Sequence, residues 1–267
     1  MQARITVLIP SCNRPTALAV TLTGLCFQQC MDFTVIIADQ SDTPVYQDAS
    51  VRTVIRLLEK KGRPVQQLTN LPQRGLAQQR QFLLDCVASP YCLYLDDDVL
   101  LEPFVIENMR RALEEEKIGF VGQALIGLSY SKDYRPQEQA IEFWEGAVEP
   151  ELVTPKDPSW RRHSLHNAAN ILHVQEKLQL SPQRQRKYKV AWVGGCVLYA
   201  AEKLRAAGGF NFWQELPSEH VGEDVFAQLN VMKRYGGCGL IPSGAYHLEA
   251  PTTIPNRQFD IPKERNP

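Results

Sequence analysis

The sequence contains no run approaching the ~18–20 consecutive apolar residues that a membrane-spanning helix requires. It has almost no net charge, −1 over 267 residues, so no whole-chain basic field attracts nucleic acid. None of the seven cysteines (Cys12, Cys26, Cys30, Cys86, Cys92, Cys196 and Cys238) forms a CxxC pair, which argues against a zinc ribbon or a dithiol redox motif. Their number is odd, and several lie in apolar stretches such as LCFQQC and GGCVLYA. Reduced thiols packed in a core are therefore expected. No GxxxxGK[ST] loop occurs, which disfavours a P-loop enzyme, and no GxGxxG follows the first apolar run, which disfavours an ordinary dinucleotide site. The N-terminal MQARITVLIPSCNRP has a short apolar stretch broken by Pro10 and no small-residue cleavage site. It predicts no secretory leader and a cytoplasmic protein, with peripheral contact at the inner face of a membrane left open.

What the chain does have is 44% hydrophobic residues, enough for a sizeable core. RITVLIP (4–10), FTVIIAD (33–39), VQQLTN (65–70) and YCLYL (91–95) read as strands, and IGFVGQALI as a further one. Between them lie helical patterns over 16–29 with Thr16 as N-cap, 50–61, 74–89 and 103–116. This alternation predicts an α/β fold, with a Rossmann-like, mostly parallel sheet flanked by helices on both faces. Residues 128–190 are polar and weakly periodic, with basic clusters at Arg161–Arg162 and at RQRKYK (184–189). They read as a variable insertion, either a solvated loop or an acceptor-binding segment. A strand, a turn and a short helix resume at KVAWVGGCVLYAAEKLRAAGGF. Another helix spans 223–236, a last strand or two follows, and a loose proline-rich tail begins at Thr252. The expected organisation is thus a nucleotide-binding half (1–127), the insertion (128–190), an acceptor-side region (191–251) and the tail (252–267).

YLDDDVLLEP places Asp96, Asp97 and Asp98 directly after an apolar run. Aspartate is a poor strand former and the three repel one another, so their clustering calls for a chemical reason. In an open parallel sheet, ligands bind beyond the carboxyl ends of the strands. Asp39 ends one strand and the aspartate triplet ends another, which directs both toward one cleft. In extended chain Asp96 and Asp98 point the same way, and a hard divalent ion, Mg²⁺ or Mn²⁺, would relieve their repulsion while carrying a substrate phosphate.

The chain resembles an inverting family 2 glycosyltransferase of the GT-A fold. The resemblance rests on VLIPSCNRP, IIADQSD, NLPQRGLAQQRQ, YLDDDVLLEP, WVGGCVLYAAEKLRAAGGF and GEDVFAQL, an ordered set that spans nearly the whole chain. It implies that Pro10 and its loop border the nucleobase, that Asp39 binds the base, and that Arg80 sits near base or phosphates. Gln81 stands where the family usually has asparagine. Asp96 and Asp98 correspond to the DxD pair, with Asp98 on the metal, Asp96 on ribose or metal, and Asp97 in the variable middle position. Trp192, Gly194 and Gly195 would line the sugar and acceptor pocket. Asp224 would be the general base, with Glu223 as an alternative base or an acceptor-hydroxyl ligand. His247 would complete the metal site, although a partly buried structural histidine fits it equally. His163, His166, His173 and His220 read as polar or surface groups without named partners.

The resemblance further implies transfer of a sugar from a nucleotide diphosphate donor, UDP favoured, to a hydroxyl of a saccharide, lipid-linked or small-molecule acceptor. Two readings compete. A sugar nucleotidyltransferase would carry a glycine-rich, basic loop after the first strand, and SCNRPTAL has one arginine and no glycine. A non-catalytic sugar-nucleotide-binding protein would have no use for both the aspartate motif and Glu223–Asp224. The basic stretch 184–189 could meet an anionic acceptor or an acidic membrane surface, and a solvated loop is the plainer reading.

Overall fold

The structure is a computed structural model that describes residues 3–254, 257–265 and 267. The first two strands are short, apolar and rich in Val and Ile. β1 (Ile5–Ser11) leads through a short loop to α1 (Pro15–Cys26), followed by β2 (Phe33–Asp39), α2 (Ala49–Lys60) and β3 (Val65–Thr69). Then come α3 (Leu76–Asp85), β4 (Tyr91–Leu95), β5 (Val99–Leu101), α4 (Val105–Glu116) and β6 (Phe120–Gly122). The remainder holds α5 (Asn170–Lys177), β7 (Arg186–Tyr188), β8 (Cys196–Ala200), α6 (Ala201–Ala206), α7 (Glu223–Tyr235), β9 (Gly237–Ile241), β10 (Ala245–His247) and α8 (Ile261–Glu264). Pro15, not Thr16, opens α1. It takes the first helical position, where its missing N–H costs nothing. In α2 the Asp48 carboxylate accepts the free N–H groups of Ser50 and Val51, the usual work of an aspartate cap.

Eight strands form the main sheet in the order β3-β2-β1-β4-β8-β6-β9-β7. Pairings β3-β2, β2-β1, β1-β4 and β6-β9 are parallel, whereas β4-β8, β8-β6 and β9-β7 are antiparallel. The sheet is thus mainly parallel, but β8 is intercalated between β4 and β6. Alternate residues serve opposite faces. Val7, Ile9, Val35, Ile37, Leu93 and Leu95 pack with α1, α2 and α4, while Leu8, Ile36, Cys92, Tyr94 and Tyr199 pack with α3, α6 and α7. Burial on both sides explains why these strands read as continuous apolar runs. Pro10 fits inside a central strand because the β1-β4 pairing stops at Leu8↔Tyr94, short of the missing N–H. All seven cysteines are free thiols, and five of them are buried, with Cys92 pushed up to about 12 by burial.

Two segments are more ordered than expected. The basic stretch 184–189 is not a solvated loop. Residues 186–188 are edge strand β7, with Tyr188 fully buried, Lys187 ion-paired to Glu116, and the Arg186 guanidinium 3.4 Å from the centre of the Phe143 ring. The tail is not loose throughout. Asp260 bridges to Val221, and Ile261 is buried at the start of α8. In both cases a few apolar side chains find cover that only the folded chain provides. Among the described residues no helix is long and apolar enough to cross a membrane.

Candidate active site

β4 ends at Leu95, and the chain then turns through Asp97 and Asp98 instead of continuing extended. Simple alternation therefore fails, and the three aspartates face three different partners. Asp96 accepts from Arg80 (Nη2–Oδ1 3.0 Å). Asp97, buried, accepts from the Ser11 hydroxyl (2.7 Å) and from Arg14 (3.3 Å). Asp98, 4% exposed, receives both Arg14 (2.9 Å) and His247 Nε2 (3.4 Å) on its Oδ2. Burial raises Asp97 to about 6 despite Ser11 and Arg14. Burial also works against Asp98, but His247 and Arg14 outweigh it and hold that carboxylate below its ordinary value.

β5 and β10 pair antiparallel in a separate ribbon, with His247 opposite Val99. That register brings His247 beside Asp98. Its Nδ1 accepts the Glu249 N–H, so the proton facing Asp98 resides on Nε2. The hydrogen bond to Asp98 raises His247 above its ordinary value. Asp39 lies at the matching end of β2, across from Ser11. Both of its carboxylate oxygens accept backbone N–H groups, from Ser41 and Val45, which shapes the loop after the strand.

Arg80 is the hub on the other side. It is buried on α3 over the Tyr94 ring and joins Asp96 to Glu223 (Nε–Oε1 3.0 Å). Burial alone would lower this guanidinium, yet Asp96 and Glu223 raise it above its ordinary value. Glu223, 3% exposed, is occupied by that ion pair. Asp224 beside it is half-buried. Burial, then Glu223, push Asp224 up to about 7 against the pull of Arg80.

The Trp192–Gly195 segment runs between the two carboxylates. A Cβ on Gly194 would lie 3.5 Å from the Trp192 ring and 3.9 Å from Asp224 Oδ2, and one on Gly195 would lie 3.3 Å from Asp96 Oδ2. Gly195 has φ +74°, a conformation that side chains disfavour. His163, from the 128–190 region, lies parallel to Trp192 with ring centres 6.0 Å apart.

The structure thus brings Asp96, Asp224, Glu223, Arg80, Trp192, Gly194 and Gly195 into one cluster, and Asp97, Asp98 and His247 into an adjoining one. Asp39 and Pro10 lie at the ends of β2 and β1 beside it, Pro10 next to the Ser11 that bonds Asp97. Gln81, in the usual asparagine position, instead ties α3 to the turn at Phe210. The four histidines read as partnerless all have partners. His163 stacks on Trp192, His166 meets the Tyr188 hydroxyl (3.0 Å), and His173 contacts the Ser131 carbonyl (2.9 Å). Buried His220 accepts the Ala77 N–H at the start of α3 (3.1 Å). Arg14, Ser11 and Gln228 were not singled out as site residues in the sequence, and His220 was read only as a polar or surface group. Only Gln228 had a local signal, as a polar residue one helical turn beyond Asp224 in the apolar run VFAQLNV.

The sequence matches the model of the family described as "Glycosyl transferase family 2" over residues 6–174. The chain belongs to glycosyl transferase family 2. No curated protein matches this family 2 chain in sequence. Solved structures do match in fold. The S. aureus TarS 1–349 crystal structure has a TM-score of 0.57 at 16% identity, covering 91% of this chain and 60% of that one. The same portion of TarS in complex with UDP-GlcNAc has a TM-score of 0.55 at 12% identity, covering 94% and 60%. The mannosyltransferase PcManGT from Pyrobaculum calidifontis, in complex with GDP-Man and Mn2+, has a TM-score of 0.58 at 14% identity, covering 95% and 59%. This family 2 chain therefore spans about 60% of the length of those structures, and at such identities the likeness shows the fold alone.

Proposed function

We propose that this glycosyltransferase moves a sugar from a nucleotide diphosphate donor to an acceptor hydroxyl with inversion, using a divalent ion and Asp224 as general base. The observation that carries the reading is that two acidic clusters adjoin at the Asp96–Asp98 turn, with the Trp192–Gly195 segment lying between Asp96 and Asp224. One cluster, Asp98 with His247, suits a cation. The other, Asp224 with its raised affinity for a proton, suits a base.

The donor chemistry of the first cluster fits a metal ion. A carboxylate and an imidazole already share one proton at 3.4 Å, and that oxygen–nitrogen set suits Mn²⁺ or Mg²⁺. Among the described residues no three His, Cys, Asp or Glu side chains surround a common point. Asp98 and His247 would therefore hold the ion together with diphosphate oxygens and water, and the ion would supply positive charge to the departing diphosphate. Arg14 holds Asp98 in the structure and is within reach to serve the same charge. Asp39 and the loop after Pro10 would border the base, with Asp96 on the ribose side.

Inverting displacement needs a base that is largely ionised near neutral pH yet still takes a proton, and a carboxylate near 7 meets that need. Glu223, neutralised by Arg80, is better suited to hold Asp224 in place than to accept a proton itself. Trp192 and the backbone of Gly194–Gly195 would wall the sugar, with an aromatic face suited to a saccharide. UDP is the favoured nucleotide, since TarS has been captured with UDP-GlcNAc, and GDP-linked donors are the second set to try because PcManGT has been captured with GDP-Man.

The test is hydrolysis and thermal shift over a panel of UDP-, GDP- and dTDP-sugars, with and without Mn²⁺. At least one donor should raise the melting temperature and be turned over only with metal. A donor at about 100 times its Kd adds roughly 2.7 kcal/mol of stability. Binding and turnover indifferent to Mn²⁺ would sink the metal assignment, and no response to any donor would sink the transferase reading.

A further inference from the structure

Gln228 is fully buried, at 0% exposed, in a stretch of α7 where Val225, Ala227, Leu229 and Val231 are all apolar and buried. Both ends of its amide are used, and both go to one residue. Nε2 donates to the Val193 carbonyl (2.7 Å), and Oε1 accepts the Val193 N–H (2.9 Å). Val193 lies outside any strand, so this side chain does for it what a neighbouring strand would. Asp224 stands four residues earlier, on the same helix face. Two residues beyond Val193, the Gly195 carbonyl accepts the Asp96 N–H (2.9 Å). From the sheet side Val193 presses on Gly122, where a Cβ would come within 2.6 Å of Val193 Cβ.

The segment bearing Trp192 and the two glycines is therefore pinned to α7 through Gln228 and to the aspartate turn through Asp96. We propose that Gln228 is a positioning residue. It sets the Trp192–Gly195 wall at its distance from Asp224, and so governs how a hydroxyl nucleophile is presented to that base. It acts through the Val193 peptide and touches no substrate. The inference rests on the glycosyl-transfer reading above, in which Asp224 is the base.

Two variants disturb the same peptide from opposite sides. Gln228→Leu removes both hydrogen bonds, and Gly122→Ala pushes on Val193 without altering α7. The probe is the nucleotide sugar that the wild-type chain hydrolyses with Mn²⁺, with water as acceptor. Each variant should lower kcat roughly 10–100-fold per folded molecule, the scale expected of a small misplacement near a reacting centre. The calorimetric Kd for UDP and Mn²⁺ should change much less than kcat, because Asp39, Asp98 and His247 lie off this segment and only Asp96 adjoins it. Gln228→Glu keeps an acceptor for the Val193 N–H and should recover part of the loss. If Gln228→Leu does not fold, Gly122→Ala and Gln228→Glu carry the same test.

An unchanged kcat per folded molecule in Gly122→Ala and Gln228→Leu would overturn the inference. So would losses of kcat and UDP affinity that run in parallel, which a merely structural role produces. A wild-type chain that binds and hydrolyses no nucleotide sugar would remove the transferase reading and this inference together. An active wild type with equally active variants would remove this inference alone.

Discussion

If Asp224 is the base, as proposed, it links the chemistry to pH. A base raised to about 7 is protonated in mild acid, so turnover should climb with pH through that value. The same shift acts on stability with the opposite sign. Because the folded-state value lies above the ordinary 3.8, the contribution of Asp224 to folding is complete below 3.8 and declines as pH rises toward 7. Asp224→Asn stays neutral at every pH. It should abolish transfer, a loss of about 10²–10⁴-fold or more, while UDP binding persists, and it should melt above the wild type at pH 8 but not at pH 4. A pH-independent difference in melting temperature would contradict the assigned shift. Asp98→Ala should weaken Mn²⁺-dependent UDP binding in a calorimetric titration, and unchanged affinity would exclude Asp98 from the ion.

At the scale of elements, α3 matters because it carries Arg80. Its N-cap position is Gly75, which has no side chain with which to cap, and the free Ala77 N–H is taken instead by His220 from the loop before α7. Gly75 adopts φ +93°, and a Cβ there would sit 2.4 Å from the His220 ring. The two halves of the candidate site are thus docked twice, through Arg80–Glu223 and through His220–Ala77. His220→Ala should cost about 1–2 kcal/mol, comparable to the loss of a buried cap. Urea denaturation would read this as a lower midpoint with an unchanged slope. Much of the element pattern was legible in the sequence. Apolar runs of five to seven residues with strand-forming side chains marked β1, β2 and β4, and helical periodicity marked α2, α3 and α4. β7 was hidden because only Tyr188 in it is fully buried, and a three-residue edge strand facing water on most sides has no apolar alternation to display.

For the whole molecule, the 128–190 region is part of the fold. It contributes β7 to the main sheet, fills the space above Gly239 with the Tyr188 ring, and lays His163 on Trp192. Tyr188→Ala should destabilise by about 3–5 kcal/mol, the range for emptying a large aromatic site, seen as a markedly lower thermal midpoint. Excision of 128–190 should abolish a cooperative melt altogether, and a well-folded excised protein would show this region to be dispensable decoration.

The sequence by itself determined the alternating α/β plan, the family, and which acids stand at strand ends, because these depend on local periodicity and on motifs a few residues long. Only the tertiary structure decided that β8 runs antiparallel between β4 and β6, that Asp98 meets His247 while Asp96 meets Arg80, and that Gln228 secures Val193. Those pairings join residues 16 to 149 positions apart. The free energy that selects them comes from burying the charges and amides of distant segments against one another, and no local stretch of sequence encodes that.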